Sequence, residues 1–123
     1  MTDFYGAQSQ ADIVPGSILF GDVIVSGVIF GVTNNQTVSG LGTGVTIDLS
    51  VSQTGAGQPA LVVNGINQGS IATVTNGDLI AVEVTTLPPN MATGIVTVSN
   101  VTDSNTVLDT FLYDIDGGSG GGI

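Results

Sequence analysis

The side chains of this 123-residue sequence that ionise near neutral pH are nine Asp and Glu83, set against no Lys, Arg, His or Cys. A Ser or Thr nucleophile therefore has no imidazole base, and no amine exists for Schiff-base or general-base chemistry. Phosphoryl transfer has neither a cationic clamp nor a P-loop. What is left is paired-carboxylate chemistry, as in glycoside hydrolysis, or an oxygen-ligand site for Ca²⁺. Asp114 and Asp116 are the close pair, and their i, i+2 spacing puts both on one face of a strand that runs that far. Asp114-x-Asp116-Gly117 begins like a calcium loop but lacks the later ligands and the terminal Glu. Asp103 and Asn105 make a second oxygen-rich stretch. Both stretches are equally what turns and solvated strand ends use. The sequence accordingly assigns no catalytic residue, no metal ligand and no cofactor. Asn35-Gln36-Thr37 and Asn100-Val101-Thr102 match the glycosylation sequon, which has meaning only in a eukaryotic secretory host.

The formal net charge of -10 sets the class of partner. Such a chain repels nucleic-acid phosphates and anionic membrane surfaces, and is attracted to cations or a basic protein surface. Trypsin has no site in it. Disorder, a common fate of acidic chains, is excluded by a hydrophobic fraction of 41% that is rich in Val and Ile. The most apolar stretch, 13–32, is not read as a membrane span: it contains Pro15, Asp22 and four glycines and has no flanking cation.

These residues must be positioned by short strands. Residues 45–52 alternate cleanly, with Val45, Ile47, Leu49 and Val51 on one face and Thr46, Asp48, Ser50 and Ser52 on the other. Residues 71–86 predict two strands joined as a hairpin at Asn76-Gly77-Asp78, where Asn and Gly accept φ > 0 at little cost. Further strands are expected at 18–20, 23–30, 36–39, 60–63, 91–101 and 107–115, and Asn64-Gly65 is expected to end the fourth of these. No stretch has a helical period of useful length. Turn signals every 8–12 residues suggest a β-sandwich, with a small barrel as the competing architecture. Residues 1–14 read as an N-terminal arm carrying Phe4 and Tyr5, 15–116 as the domain, and 117–123 as a flexible glycine-rich tail.

The order of features also resembles a known module. VTNNQTVSGL (32–41) leads into TIDLSVS (46–52), then LVVNG (61–65), IATVTNGDLIAVEVTT (71–86), MATGIVTVSNVTD (91–103) and DTFLYDI (109–115). This series is similar to an immunoglobulin-like module of tailed-phage structural proteins and bacterial surface proteins. PGSILFGDV (15–23) matches its first strand more weakly, and the family's usual exposed Arg and Lys are absent here. The resemblance implies an all-β, immunoglobulin-like antiparallel sandwich of seven to nine short strands with an interaction or spacer role. It implies a non-enzymatic virion protein: a capsid decoration or cement protein, or an accessory tail protein, that contacts the major capsid protein or another virion protein. The alternative is an adhesin-like or carbohydrate-binding module, for which Tyr5 and Tyr113 are the available sugar platforms. Partner contacts are expected from Phe4 and Tyr5 in the arm and from Ile18, Phe20, Ile29 and Phe30 in the apolar stretch. Without Lys gatekeepers, strand edges must be guarded by carboxylates or covered by partner chains, so homo-oligomerisation is expected as well.

Overall fold

The computed structural model describes residues 10–86 and 91–116. Within them, ten strands form two sheets packed face to face: β1 (Val23–Ser26), β2 (Phe30–Val32), β3 (Gln36–Thr37), β4 (Thr46–Gln53), β5 (Gln58–Val63), β6 (Ile66–Gly69), β7 (Ile71–Thr75), β8 (Leu79–Thr85), β9 (Met91–Asn100) and β10 (Thr106–Asp116). The first sheet runs β1-β10-β9-β4-β7 and the second β2-β8-β5-β6, with β3 paired to β8. The pairing is antiparallel except where β1 runs parallel to β10. The fold is thus the all-β sandwich the strand pattern calls for.

Period-two burial builds the core. On β4 and β10 the inward residues Ile47, Leu49, Phe111, Tyr113 and Ile115 are buried while their neighbours face outward. From the other sheet Leu61, Ile80, Val82 and Val84 meet them. Each such side chain contributes roughly 1.5–3 kcal/mol by leaving water. Phe20 packs edge-on against Phe111, with centroids 6.0 Å apart at 62°. No buried side-chain nitrogen or oxygen among the described residues lacks a hydrogen-bond partner.

Two turns exchange the roles expected of them. Asn76-Gly77-Asp78 does not close a hairpin: β7 pairs with β4 in the first sheet, whereas β8 lies in the second. Gly77 does adopt φ 94°. The Asn76 side chain, however, is held at both ends by the Leu41 backbone, accepting from its N–H and donating to its carbonyl at 3.0 and 2.9 Å. Asp78 accepts from Thr75 N–H at 2.9 Å and from the Asn64 side-chain amide at 3.0 Å. The turn thereby carries the chain across the sandwich, and the apolar faces of β7 and β8 look inward from opposite sheets. The true tight hairpin is at Asn64-Gly65. Both residues have positive φ, 52° and 84°, and Val63 pairs with Ile66 across the two-residue loop. That hairpin creates β6, a strand beyond the expected set; the strand expected at 23–30 splits into β1 and β2, and with 18–20 in no ladder the total among the described residues is ten.

The segments before β1 also differ from expectation. Gln10–Ile13 forms a short 3-10 turn. It is pinned where Asp12 O accepts from Gly42 N–H at 3.0 Å and Ile13 O accepts from the Asn100 amide at 2.8 Å. The last part of the expected arm is therefore held on the domain. Residues 18–20 join no ladder. Instead Phe20 N–H donates to the Asp109 carboxylate at 2.8 Å and Leu19 N–H to Gln36 Oε1 at 3.2 Å, so this segment bridges the two sheets.

Candidate partner-binding edge

Residues 23–32, VIVSGVIFGV, supply an edge strand to each sheet. β1 pairs with β10 alone and β2 with β8 alone among the described residues. Gly27, at φ 77°, turns the chain between them, and its N–H donates to Asp116 O at 2.7 Å. Gly31 makes the crossing tight: a Cβ there would overlap Val23 Cγ1 and press on Val25 Cγ2 at 3.3 Å. Two buried threonines fix the far side. Thr33 Oγ1 accepts from Val82 N–H at 3.0 Å, and Thr86 donates to Ile29 O from both its N–H and its hydroxyl, at 2.9 and 3.0 Å. The crossover is thus held by hydrogen bonds at both ends, although most of its side chains apart from Val23 are exposed.

The structure divides the expected contact residues. Ile18 and Phe20 are 3% and 4% exposed and belong to the core, so they do not meet a partner. They are expected as contacts because they lie in the apolar stretch, but the segment is hydrogen-bonded to both sheets through residues 19 and 20, and both side chains lie between the sheets. Ile29 and Phe30 are 55% and 48% exposed, and Ile24, Val25, Val28 and Val32 are also exposed. Sequence reading did not single out these four, although they lie in the same apolar run. Ile24 lies on the outer face of the first sheet in register with Asp114, and Phe30 and Val32 on the outer face of the second in register with Thr85 and Glu83. Phe4 and Tyr5 lie outside the described residues, as do 117–123.

Nothing in the segment's composition blunts this edge. Residues 23–32 contain no Pro, no Lys and no charged side chain. The carboxylate before it, Asp22, turns back to accept from Leu112 N–H at 3.0 Å. Asp114 and Asp116 sit on the outer face of β10, in register with Ile24 and Ser26.

Other candidate sites fare differently. Tyr113 is no sugar platform: it is buried, and its hydroxyl lies 2.6 Å from Thr54 O and 2.8 Å from Ala56 O, sharing its proton between them. Asn100 is fully buried, which closes the second sequon, whereas Asn35 is exposed. Among the described residues no group of three or more His, Cys, Asp or Glu is placed to hold a metal ion. A polar groove of about 490 Å³ includes Gln53, Gln58, Asn67 and Thr85 in its lining. Two of its amides are already engaged, Gln53 with Gly57 O at 2.7 Å and Asn67 with Glu83 at 3.1 Å.

Burial raises the Tyr113 hydroxyl above its ordinary value of 10.0. The unfolded chain then releases this proton at lower pH than the folded one. Its contribution is fully present below about pH 10 and is lost as pH rises through the folded value. Melting temperatures recorded from pH 8 to 11 should fall at the alkaline end, and less steeply for Tyr113→Phe. Equal slopes for the two proteins would contradict the assignment.

No protein-family model matches the chain, and no curated protein matches it significantly. Among solved structures it is similar to the N-terminal domain of PorA, at 17% identity over 80% of this chain and 89% of that one, with a TM-score of 0.41. At that distance the likeness assigns no function.

Proposed function

We propose that this chain is a non-enzymatic virion structural protein of a tailed phage, a capsid decoration or cement protein or an accessory tail protein, and that it docks through the 23–32 edge. The observation that carries the docking role is the hydrogen-bonded crossover with six solvent-exposed apolar side chains, Ile24, Val25, Val28, Ile29, Phe30 and Val32. An isolated surface hydrophobe is ordinary; a run of them on two adjoining edges that pair with no further strand among the described residues marks an interaction surface. The absence of His, Lys, Arg and Cys from the sequence supports a role without catalysis. The virion assignment draws on the resemblance of the strand series to phage structural modules. The proposed partner is the major capsid protein or another virion protein.

The test is occupancy on particles purified from the encoding phage, quantified by mass spectrometry. The wild-type chain should be present in stoichiometric amounts. An Ile29→Asp/Phe30→Asp variant should fold normally, because both side chains already face solvent. Its affinity should fall roughly a hundredfold or more, since each lost burial is worth roughly 1.5–3 kcal/mol. A chain absent from particles would end the virion reading. Full occupancy by the double variant would end the assignment of the edge. Removing residues 1–9 alone tests the Phe4/Tyr5 arm cleanly, because a cut at residue 14 would also remove the carbonyl that satisfies buried Asn100.

A further inference from the structure

The docking edge proposed above is flanked on one side only by charge, and this restricts what can occupy it. β1 lies alone on the outside of β10, with no strand on its other side among the described residues. A groove of about 270 Å³ along it is lined by Ile24, Val25, Ser26, Asp114 and Asp116. Asp114 pairs in register with Ile24, and Asp116 with Ser26, so both carboxylates stand on the outer face beside the groove. Val25 pairs with buried Ile115 and points to the other side, toward the crossover.

We infer that β1 accepts an extended segment of a different protein as an added strand, and that this segment alternates basic and apolar residues. Resting on the proposed docking role, the inference specifies its partner. An incoming strand pairs with the edge of β1 that no strand covers among the described residues, and its side chains alternate between two faces. One set falls on the outer face beside Ile24 and Ser26, two strand spacings (about 10 Å) from Asp114 and Asp116, so a long Lys or Arg side chain can reach across β1 toward these carboxylates. The other set falls toward Val25 and the crossover, where apolar groups leave water. A second copy of this chain is disfavoured as occupant. It carries a net charge of -10 and has no Lys, Arg or His, so it brings carboxylates to carboxylates.

The probes are three synthetic peptides titrated into the full chain: an alternating Lys-Val heptamer, an alternating Glu-Val heptamer, and a block peptide with the Lys-Val composition. Binding is read by calorimetry, and its location by amide shifts in NMR. The alternating Lys-Val peptide should bind more tightly than the other two, weaken as salt rises, and shift the amides of residues 23–26. Asp114→Asn/Asp116→Asn should weaken it on the order of tenfold. Asp48→Asn/Glu83→Gln removes the same net charge elsewhere and should change binding far less. Equal binding of the block peptide, or equal loss in both charge variants, would show attraction to overall charge and overturn the inference. Self-association that Ile24→Lys abolishes would overturn it in favour of a second copy. If the peptide binds at β1 but the protein is absent from particles, the virion reading fails and this inference stands. If particles are occupied and no peptide binds, the reverse holds.

Discussion

Leu49→Asp is expected to leave the chain without a cooperative fold. Leu49 is fully buried in the middle of β4, which pairs on one side with β7 and on the other with β9. The substitution removes a burial worth roughly 1.5–3 kcal/mol. It also places a carboxylate in a layer made of Val, Leu, Ile and aromatic side chains, where an unpaired ion costs several kcal/mol more. The sequence contains no Lys, Arg or His to move toward it. Against a typical domain stability of about 5–15 kcal/mol, that loss takes most or all of the margin. Circular dichroism should show no sigmoidal melt. Leu112→Asp is the matched control, because Leu112 lies half exposed on the outer face of β10 opposite Ile95. It should cost the cross-strand pair, roughly 0.2–1 kcal/mol, and a comparably small screened repulsion from Asp22 and Asp114. A cooperative melt for Leu49→Asp near the wild-type temperature would contradict the core described above.

Gly94→Ala is the second large effect, and composition alone does not announce it. Gly94 lies within β9 opposite Tyr113, and its backbone φ is not in the left-handed region, so alanine is conformationally acceptable there. What is missing is space. A Cβ would overlap the Thr54 carbonyl oxygen, which is backbone and cannot rotate away, and would stand 2.8 Å from the Tyr113 hydroxyl. That hydroxyl is the group hydrogen-bonded to the Thr54 and Ala56 carbonyls. The 54–57 turn must therefore lift, breaking the bond while straining the core. Overpacking costs about 1–3 kcal/mol and leaving the buried groups unpaired about another 1–3 kcal/mol. Chemical denaturation of Gly94→Ala should show a loss of about 2–6 kcal/mol by these terms. Tyr113→Phe should show only the hydrogen-bond share. A Gly94→Ala loss below that of Tyr113→Phe would mean the turn moves freely.

Much of the sandwich is legible in the sequence because strand burial has period two. The inward set Ile47, Leu49 and Val51, and the set Phe111, Tyr113 and Ile115, can be read directly from alternation. Sheet membership is not legible in the same way. Asn76-Gly77-Asp78 and Asn64-Gly65 carry the same turn chemistry, yet the first spans the two sheets and the second closes a hairpin. The difference lies in long-range bonds, such as Asn76 to Leu41, that no local window contains. The same cause hides the site. Ile18, Phe20, Ile29 and Phe30 belong to one apolar run, and the pair that turns inward is held by long-range contacts: the hydrogen bonds from residues 19 and 20 to Gln36 and Asp109, and Phe20 against Phe111. Burial of Tyr113 and Asn100 likewise depends on partners 57 to 87 residues away.

Amide hydrogen exchange of the protein, free and bound to its particle, tests the docking edge most directly. The added protection should be concentrated in residues 23–32, with the opposite edge strands β6 and β7 exchanging as in the free protein. Protection gained at 66–75, with 23–32 unchanged, would contradict the assignment and move the interface to the other side of the sandwich.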